Sequence, residues 1–142
     1  MKNINRDKIM IILIWCMNKF GKSKFRKDYP KLRVYKSRGN SGYDNRETGL
    51  RGTYWNGVIT IYLGSISSVR ELCETVIHEY KHYLMSDREY DVLERKLKKQ
   101  KCRSVDIYDA HPHEKRAMKM EYKWGDVCYR ELKNKLYKQE KR

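Results

Sequence analysis

The stretch SVRELCETVIHEYKHYLM, residues 68–85, decides the fold expected of the whole chain. Ser68 and Glu71 form a capping box, in which two residues satisfy each other's unpaired backbone donors at the start of a helix. Apolar residues then recur at the spacing of one helix face: Val69, Leu72, Cys73, Val76, Tyr80, Tyr83 and Leu84. The pattern predicts a helix over residues 69–85 that packs this face against a core.

An HExxH motif, formed by His78, Glu79 and His82, lies inside this helix. At about 100° per residue, the two histidines lie on one face one turn apart, so both imidazoles can converge on a single ion. Glu79 is offset toward the side where a metal-bound water would lie. Because the histidines lie roughly opposite the apolar stripe, one face of the helix can pack while the other carries chemistry.

Zinc is the ion that this motif favours, because imidazole and carboxylate bind it well and a catalytic zinc keeps one of four positions for water. Water held there has a pKa of ~7, so Glu79 can accept its proton and pass it to a leaving amine. A third protein ligand is still needed. All four histidines lie in this motif or in His111-Pro112-His113-Glu114, so the candidates are His111, His113 and Glu114.

A solvated polar turn is the plain alternative, since short motifs also arise by chance. The helical context, the hairpin just upstream and the second cluster of histidine and glutamate together favour a metal site over that alternative.

The rest of the sequence predicts one α+β domain over residues 1–142. A first helix follows from the apolar run 9–17, and Pro112 is suited to the first turn of a last helix. Residues 31–35 alternate polar and apolar, as in a half-buried strand, and Asn56-Gly57 between 53–55 and 58–63 predicts a hairpin. We expect an N-terminal helix, a small and mostly antiparallel sheet with a hairpin, the HExxH helix and C-terminal helices.

The composition predicts a folded and strongly basic protein. Aromatic residues make up 12% of the chain, which argues against disorder even though 36% of the residues are charged. There are 33 Lys and Arg against 18 Asp and Glu, a formal net charge of +15. Such an imbalance favours polyanions or acidic partners.

The cysteines and the N-terminal run predict a cytoplasmic protein without a membrane span. The apolar run 9–17 has about half of the ~20 residues that a membrane helix requires. No small-residue cleavage site follows it, so a buried first helix is favoured over an export signal. The cysteines are far apart and form no Cys-x-x-Cys pair, which predicts reduced thiols: Cys16, Cys73, Cys102 and Cys128.

The order of helix, strand, hairpin, HExxH helix and later glutamate-bearing helix resembles the small zincin metallopeptidases of the gluzincin type. These include the minimal gluzincins and the ImmA/IrrE-like proteins of phages and mobile elements. In that family the third zinc ligand is a glutamate on the later helix, often followed by alanine three residues on, and Glu114-Lys115-Arg116-Ala117 matches. The resemblance therefore implies that His78, His82 and Glu114 bind zinc and that Glu79 is the general base, with His113 and His111 as alternative ligands.

Neighbouring families fit less well. The sixth residue after His82 is Arg88, where a metzincin has histidine, and the fourth is Ser86, where a SprT-like protein has histidine. In zincins the strand before the active helix lies at the sheet edge and binds the peptide backbone, so the resemblance implies this role for residues 58–63. An ordinary paired hairpin strand is the equally weighted alternative.

Three functions follow from these observations. The favoured one is a zinc-dependent metallopeptidase that acts on peptides or proteins, acidic ones in particular. The second is a zincin-fold binding protein with a structural zinc, whose basic surface holds nucleic acid or an acidic partner. The third is a basic nucleic-acid binder with an incidental motif, since aromatic residues alternate with cations in Tyr29-Pro30-Lys31 and Tyr122-Lys123-Trp124.

Overall fold

The structure, a computed structural model, describes residues 4–39, 49–99 and 111–138. These residues form four α-helices, three strands and a short 3-10 helix at Leu63–Ser65. The helices and strands are α1 (Arg6–Phe20), β1 (Lys31–Tyr35), β2 (Gly52–Trp55), β3 (Val58–Tyr62), α2 (Val69–Leu84), α3 (Asp87–Lys99) and α4 (Pro112–Lys138). The predicted α+β class, with its N-terminal helix, hairpin, HExxH helix and C-terminal helices, is confirmed. That residues 1–142 form one domain stays a prediction, because it extends beyond the described ranges.

The sheet is mixed, with β3 at its centre in the order β1-β3-β2. β2 and β3 form the predicted antiparallel hairpin, and Asn56 and Gly57 at its turn have φ values of 47° and 83°, as a type I′ turn requires. β1 pairs with β3 in parallel, so the sheet is divided between one parallel and one antiparallel pair. We expected a mostly antiparallel sheet, but the alternation in residues 31–35 indicates a half-buried strand without fixing its direction.

The strand expected at the sheet edge lies instead at the centre. β3 is paired on both sides, so the interpretation of residues 58–63 as an edge strand is wrong and the paired hairpin strand is confirmed. β2 is an edge strand, and its first residue, Gly52, approaches the active helix. A Cβ at Gly52 would lie 3.0 Å from Thr75 Cγ2 and 3.3 Å from Glu79 Cγ, so glycine allows β2 to pass close to α2.

The core lies between the sheet and helices α1, α2 and α4. α2 begins as predicted, because Ser68 Oγ accepts a hydrogen bond from the Glu71 backbone at 3.1 Å. Side chains from every layer are fully buried, among them Ile9, Ile12, Ile59, Ile61, Leu72, Val76, Ile77 and Leu136. Cys16, Cys73 and Cys128 are buried and free, whereas Cys102 lies outside the described residues. α1 thus buries one face in the core. Among the described helices none has the length and apolarity needed to cross a membrane.

The segment after α1 fixes the C-terminal end of α2, directly beyond His82. Arg26 donates hydrogen bonds to the carbonyls of Tyr83 and Met85 at 3.3 Å each. Its guanidinium also makes two 2.8 Å hydrogen bonds to Asp87 at the start of α3. These contacts satisfy the carbonyls that a helix end leaves unpaired and keep the last turn of the HExxH helix in place.

Candidate metal centre

The pairing of α2 with α4 builds the site. α4 packs along α2, and its Glu114 and Glu121, seven residues apart and therefore on the same helix face, both point at the HExxH motif. This contact buries the motif, so that Glu79 is 6% exposed and His82 7%. The histidine face of α2 is thus covered by a second helix, which the position of the apolar stripe did not indicate.

The position of Glu114 depends on where α4 begins, and the residue before the helix, His111, fixes that start. His111 Nδ1 accepts a hydrogen bond from the His113 backbone at 3.1 Å, which is the contact of an N-cap, and Pro112 takes the first helical position. Glu114 therefore lies in the first turn, where the positive end of the helix dipole favours a carboxylate. Since Nδ1 of His111 accepts, Nε2 carries the hydrogen and donates to the Tyr90 carbonyl at 3.0 Å. Both ring nitrogens of this candidate ligand are thereby engaged.

The two histidines of the motif converge as their spacing predicts. Their ring centroids lie 5.2 Å apart at an interplanar angle of 62°. His78, Glu79 and His82 each offer one possible ligand atom, and these three atoms lie within 4.8 Å of one another. Glu114 joins them, with Oε2 at 3.2 Å from His78 Nε2 and Oε1 against His82 Nε2. The structure therefore brings the carboxylate of Glu114 into contact with both imidazoles.

Glu121, which the sequence did not indicate as a site residue, also lies against the motif. Its Oε1 lies 2.8 Å from His78 Nδ1, so in the neutral imidazole the hydrogen lies on Nδ1 and the Nε2 lone pair is left to face Glu114. A carboxylate that accepts from the second ring nitrogen is the usual partner of a metal-binding histidine. The signal in the sequence was the seven-residue interval from Glu114 to Glu121, which places both on one face of α4.

The charges around the motif favour a cation. Burial would lower the pKa of His78, but the hydrogen bonds to Glu114 and Glu121 outweigh burial and raise that pKa to about 10. Burial would raise the pKa of Glu114, but its contacts with His78 and His82 hold that pKa well below its usual range. Burial also raises the pKa of Glu79. Three carboxyl groups thus lie around two imidazoles in a largely buried place, which favours positive charge.

These residues fit a divalent metal ion. Two imidazoles and a carboxylate are a common donor set of catalytic zinc. Among the described residues, His82 Nε2 is a buried nitrogen without a hydrogen bond of regular geometry, although the Glu114 carboxylate lies against it. Without a metal ion, a protonated His78 neutralises part of the negative charge of the carboxylates. A bound metal ion would neutralise that charge instead.

His113, the other alternative ligand, lies behind His82 and is 2% exposed. Its ring is stacked near that of His82, with centroids 5.7 Å apart and an interplanar angle of 22°. The lone pair of an imidazole lies in the plane of its ring. Because the rings of His82 and His113 are nearly parallel, their lone pairs lie in nearly parallel planes and do not converge on one ion. Burial, together with the nearby His82 and His111, lowers the pKa of His113 to about 4, so this ring is neutral. Within the described part of the chain, neither of its nitrogens has a hydrogen-bond partner.

A cavity of about 340 Å³ leads to the motif. Residues 49–52, at and before the start of β2, form one wall, and Met118 and Tyr122 of α4 lie opposite. His78 and Glu79 line the same cavity, so the site is open to a ligand although the motif itself is largely buried. An edge strand beside such a cavity can present an extended peptide to the groups inside.

Comparison of the chain with models of known protein families, with curated proteins and with solved structures gives no match. The sequence and the structure agree on a His-Glu-x-x-His cluster in a helix, with residues that could bind a metal ion. Membership of the gluzincins, with phage-like relatives, stays a prediction from the resemblance described above.

Proposed function

We propose that this protein is a zinc-dependent metallopeptidase that hydrolyses peptide bonds, with zinc held by His78, His82 and Glu114. The observation that carries the proposal is the contact of one Glu114 carboxylate with both imidazoles of the motif, next to an open cavity. A third ligand contributed by a distant helix distinguishes such a centre from a chance pair of histidines on a surface.

The chain's own residues have suitable positions for hydrolysis. When bound, zinc supplies Lewis-acid chemistry, since it lowers the pKa of water toward ~7 and polarises a carbonyl group. Glu79 accepts the proton of the attacking water and returns it to the leaving amine. Burial raises the pKa of Glu79, which brings the carboxyl closer to the neutral range in which both transfers are efficient. Glu121 holds the ring of His78 in one orientation.

The substrate side of the proposal rests on β2. β2 pairs with β3 along one edge and has no partner strand along the other among the described residues. A peptide that adds to this outer edge passes the cavity, because residues 49–52 line it. Backbone hydrogen bonds from an edge strand bind an extended chain without regard to its sequence.

Arg51 supports a preference for acidic peptides. Its guanidinium lies in the wall of the cavity, 3.9 Å from Glu71 and 4.0 Å from Glu121, and its side chain is 39% exposed. Both distances exceed a hydrogen bond, so these two carboxylates leave the guanidinium donors available to a substrate carboxylate. The net charge of +15 adds a long-range attraction of the same sign.

The experiment is a comparison of Glu79→Gln with the wild type on casein and on acidic peptides, with bound zinc measured in both. We expect Glu79→Gln to keep its zinc and lose about 10²–10⁴ in kcat. The matched control is Glu94→Gln at a half-exposed position of α3, which should keep both the zinc and the activity. If the wild type binds zinc but cuts no peptide, the proposal fails and a binding protein with a structural zinc becomes the better account.

The buried free thiols Cys16, Cys73 and Cys128 are consistent with the cytoplasmic location predicted from the sequence, because disulfides are rare in reducing compartments.

A further inference from the structure

The sheet has two faces of opposite character. Ile59 and Ile61 of β3 are fully buried in the core, and the ring of Tyr54 in β2 lies 6.1 Å from that of Tyr83 in α2. Since side chains alternate along a strand, the intervening residues face away from α2. We call this the outer sheet face: Lys31, Arg33 and Tyr35 of β1, Val58, Thr60 and Tyr62 of β3, and Thr53 and Trp55 of β2.

The outer sheet face presents aromatic rings at both ends. Trp55, Val58 and Lys31 form one cross-strand row, and Trp55 is 80% exposed. Tyr35 and Tyr62 pair at the other end, with ring centroids 5.6 Å apart and an interplanar angle of 16°. The rows are four residues apart, about 13 Å along the strands. Among the described residues, Trp55 is the most exposed of the large hydrophobic side chains.

Cations lie between and beside these rings. Arg33 occupies the row between Trp55 and Tyr35, and Lys31 lies in the row of Trp55. Both side chains belong to exposed residues, and neither has an acidic partner among the residues that the structure describes. Among the described residues, therefore, no carboxylate neutralises the charge of this face, in a chain whose net charge is +15.

We propose that the outer sheet face binds single-stranded nucleic acid, with bases stacked on Trp55 and on Tyr35, and phosphates at Lys31 and Arg33. Exposed rings separated by cations supply the two interactions that unpaired strands require, base stacking and phosphate contact. In a duplex the bases stack on one another and a flat face cannot reach them. Stacking accepts every base, so binding is independent of sequence.

This binding site is separate from the metal centre. The HExxH motif lies on α2, which packs on the inner side of the sheet, whereas the rings of the outer sheet face point away from that helix. Binding of nucleic acid therefore survives chelation of zinc and the Glu79→Gln change, and the site stands whether or not the protein cleaves peptides.

The test is fluorescence anisotropy with a labelled oligothymidylate and with a duplex of the same length, over a range of salt concentrations. We expect the single strand to bind more tightly than the duplex. Trp55→Ala and Tyr35→Ala should each weaken it about tenfold or more. The paired change Lys31→Ala with Arg33→Ala should reduce the slope of log K against log salt by about 1.4, since each phosphate contact contributes ~0.7.

Matched controls separate this face from general basicity. Phe25→Ala removes a ring that is 53% exposed elsewhere, and the paired change Lys96→Ala with Lys99→Ala removes two cations from α3. Neither should alter the preference for single strands. Trp55→Phe keeps a stacking ring and should restore most of the affinity that Trp55→Ala loses, which excludes misfolding as the cause of that loss.

The proposal is overturned if the oligonucleotide does not bind at low salt, or if duplex and single strand bind equally. It is also overturned if the control pair on α3 weakens binding as much as Lys31→Ala with Arg33→Ala. Displacement of the oligonucleotide by polyglutamate, with no effect of the Trp55 and Tyr35 changes, would instead indicate an acidic protein partner.

Discussion

The two histidine-bearing segments contain similar side chains, but the structure uses them differently. In α2, His78 and His82 are four residues apart and their rings meet at 62° with ligand atoms close together. At the start of α4, His111 and His113 are two residues apart, and their ring centroids lie 5.7 Å apart at 85°. One of these caps the helix and the other packs near His82.

The difference shows that helix position decides which histidines can share an ion. Side chains four residues apart in a helix lie on one face, whereas side chains two residues apart diverge. Glu114, one residue beyond His113, is the group of the second segment that faces the motif. The second segment therefore contributes a carboxylate, and its histidines support the helix that carries it.

The largest expected effect is on zinc binding when Glu114 is changed. Glu114→Ala should weaken zinc binding by more than about 100-fold, because loss of an outer-shell partner alone costs about 10–100-fold. His113→Ala is the matched control and should change the affinity far less. Competition with a chromogenic chelator measures both, and a greater loss in His113→Ala would reverse the assignment of the two residues.

A smaller loss of zinc affinity is expected when Glu121 is changed. Glu121→Gln keeps the size of the side chain but removes its charge from the contact with His78 Nδ1. We expect a decrease of about 10–100-fold, with stoichiometry unchanged at saturating zinc. Glu131→Gln, farther along α4, is the control. An unchanged affinity in Glu121→Gln would show that the orientation of His78 does not depend on this carboxylate.

Changing His111 should affect stability more than zinc binding. His111→Ala removes the cap of α4 and the hydrogen bond to the Tyr90 carbonyl, a loss of about 1–2 kcal/mol in the free energy of unfolding. His111→Asn keeps a capping oxygen and should recover part of it. Urea denaturation checks both variants. A loss of zinc stoichiometry in His111→Asn would indicate that this ring is a ligand.

The smallest effect concerns the end of the first histidine segment, where Arg26 meets Asp87. The hydrogen bond from Arg26 holds the pKa of Asp87 below its usual range. The pair therefore adds stability above the unfolded pKa of ~3.9, and this contribution is lost as the pH falls through the lower folded pKa. Because Asp87 is largely exposed, the contribution is at most about 1 kcal/mol.

Thermal unfolding of Asp87→Asn and the wild type checks this contribution. The two proteins should differ at pH 7 and converge as the pH falls below 4. A difference that persists undiminished at the lowest pH would contradict an electrostatic origin.

Local patterns in the sequence predicted the elements that carry the site. The N-cap at Ser68, the hairpin turn at Asn56-Gly57 and the helix start at Pro112 each depend on neighbouring residues alone, and all three are confirmed. The second half of the capping box differs, because the Glu71 carboxylate accepts from the Ser67 backbone and not from that of Ser68. The HExxH helix followed from periodicity for the same reason. Such features are determined before the chain packs.

Contacts between distant elements were not predictable in the same way. The parallel direction of β1 and the central position of β3 depend on how the chain crosses between strands. The role of Glu121 depends on the rotation of α4 against α2, which an interval of seven residues permits but does not require. Helix periodicity gives the face of each helix, and only packing tells which faces meet.

The most direct test of the metal centre is X-ray absorption at the zinc edge of the purified protein, with zinc content measured on the same sample. The account predicts one zinc per chain, bound by two imidazoles and by oxygen donors. A spectrum with three imidazoles or with sulfur ligands would contradict it, as would a protein that retains no zinc after loading.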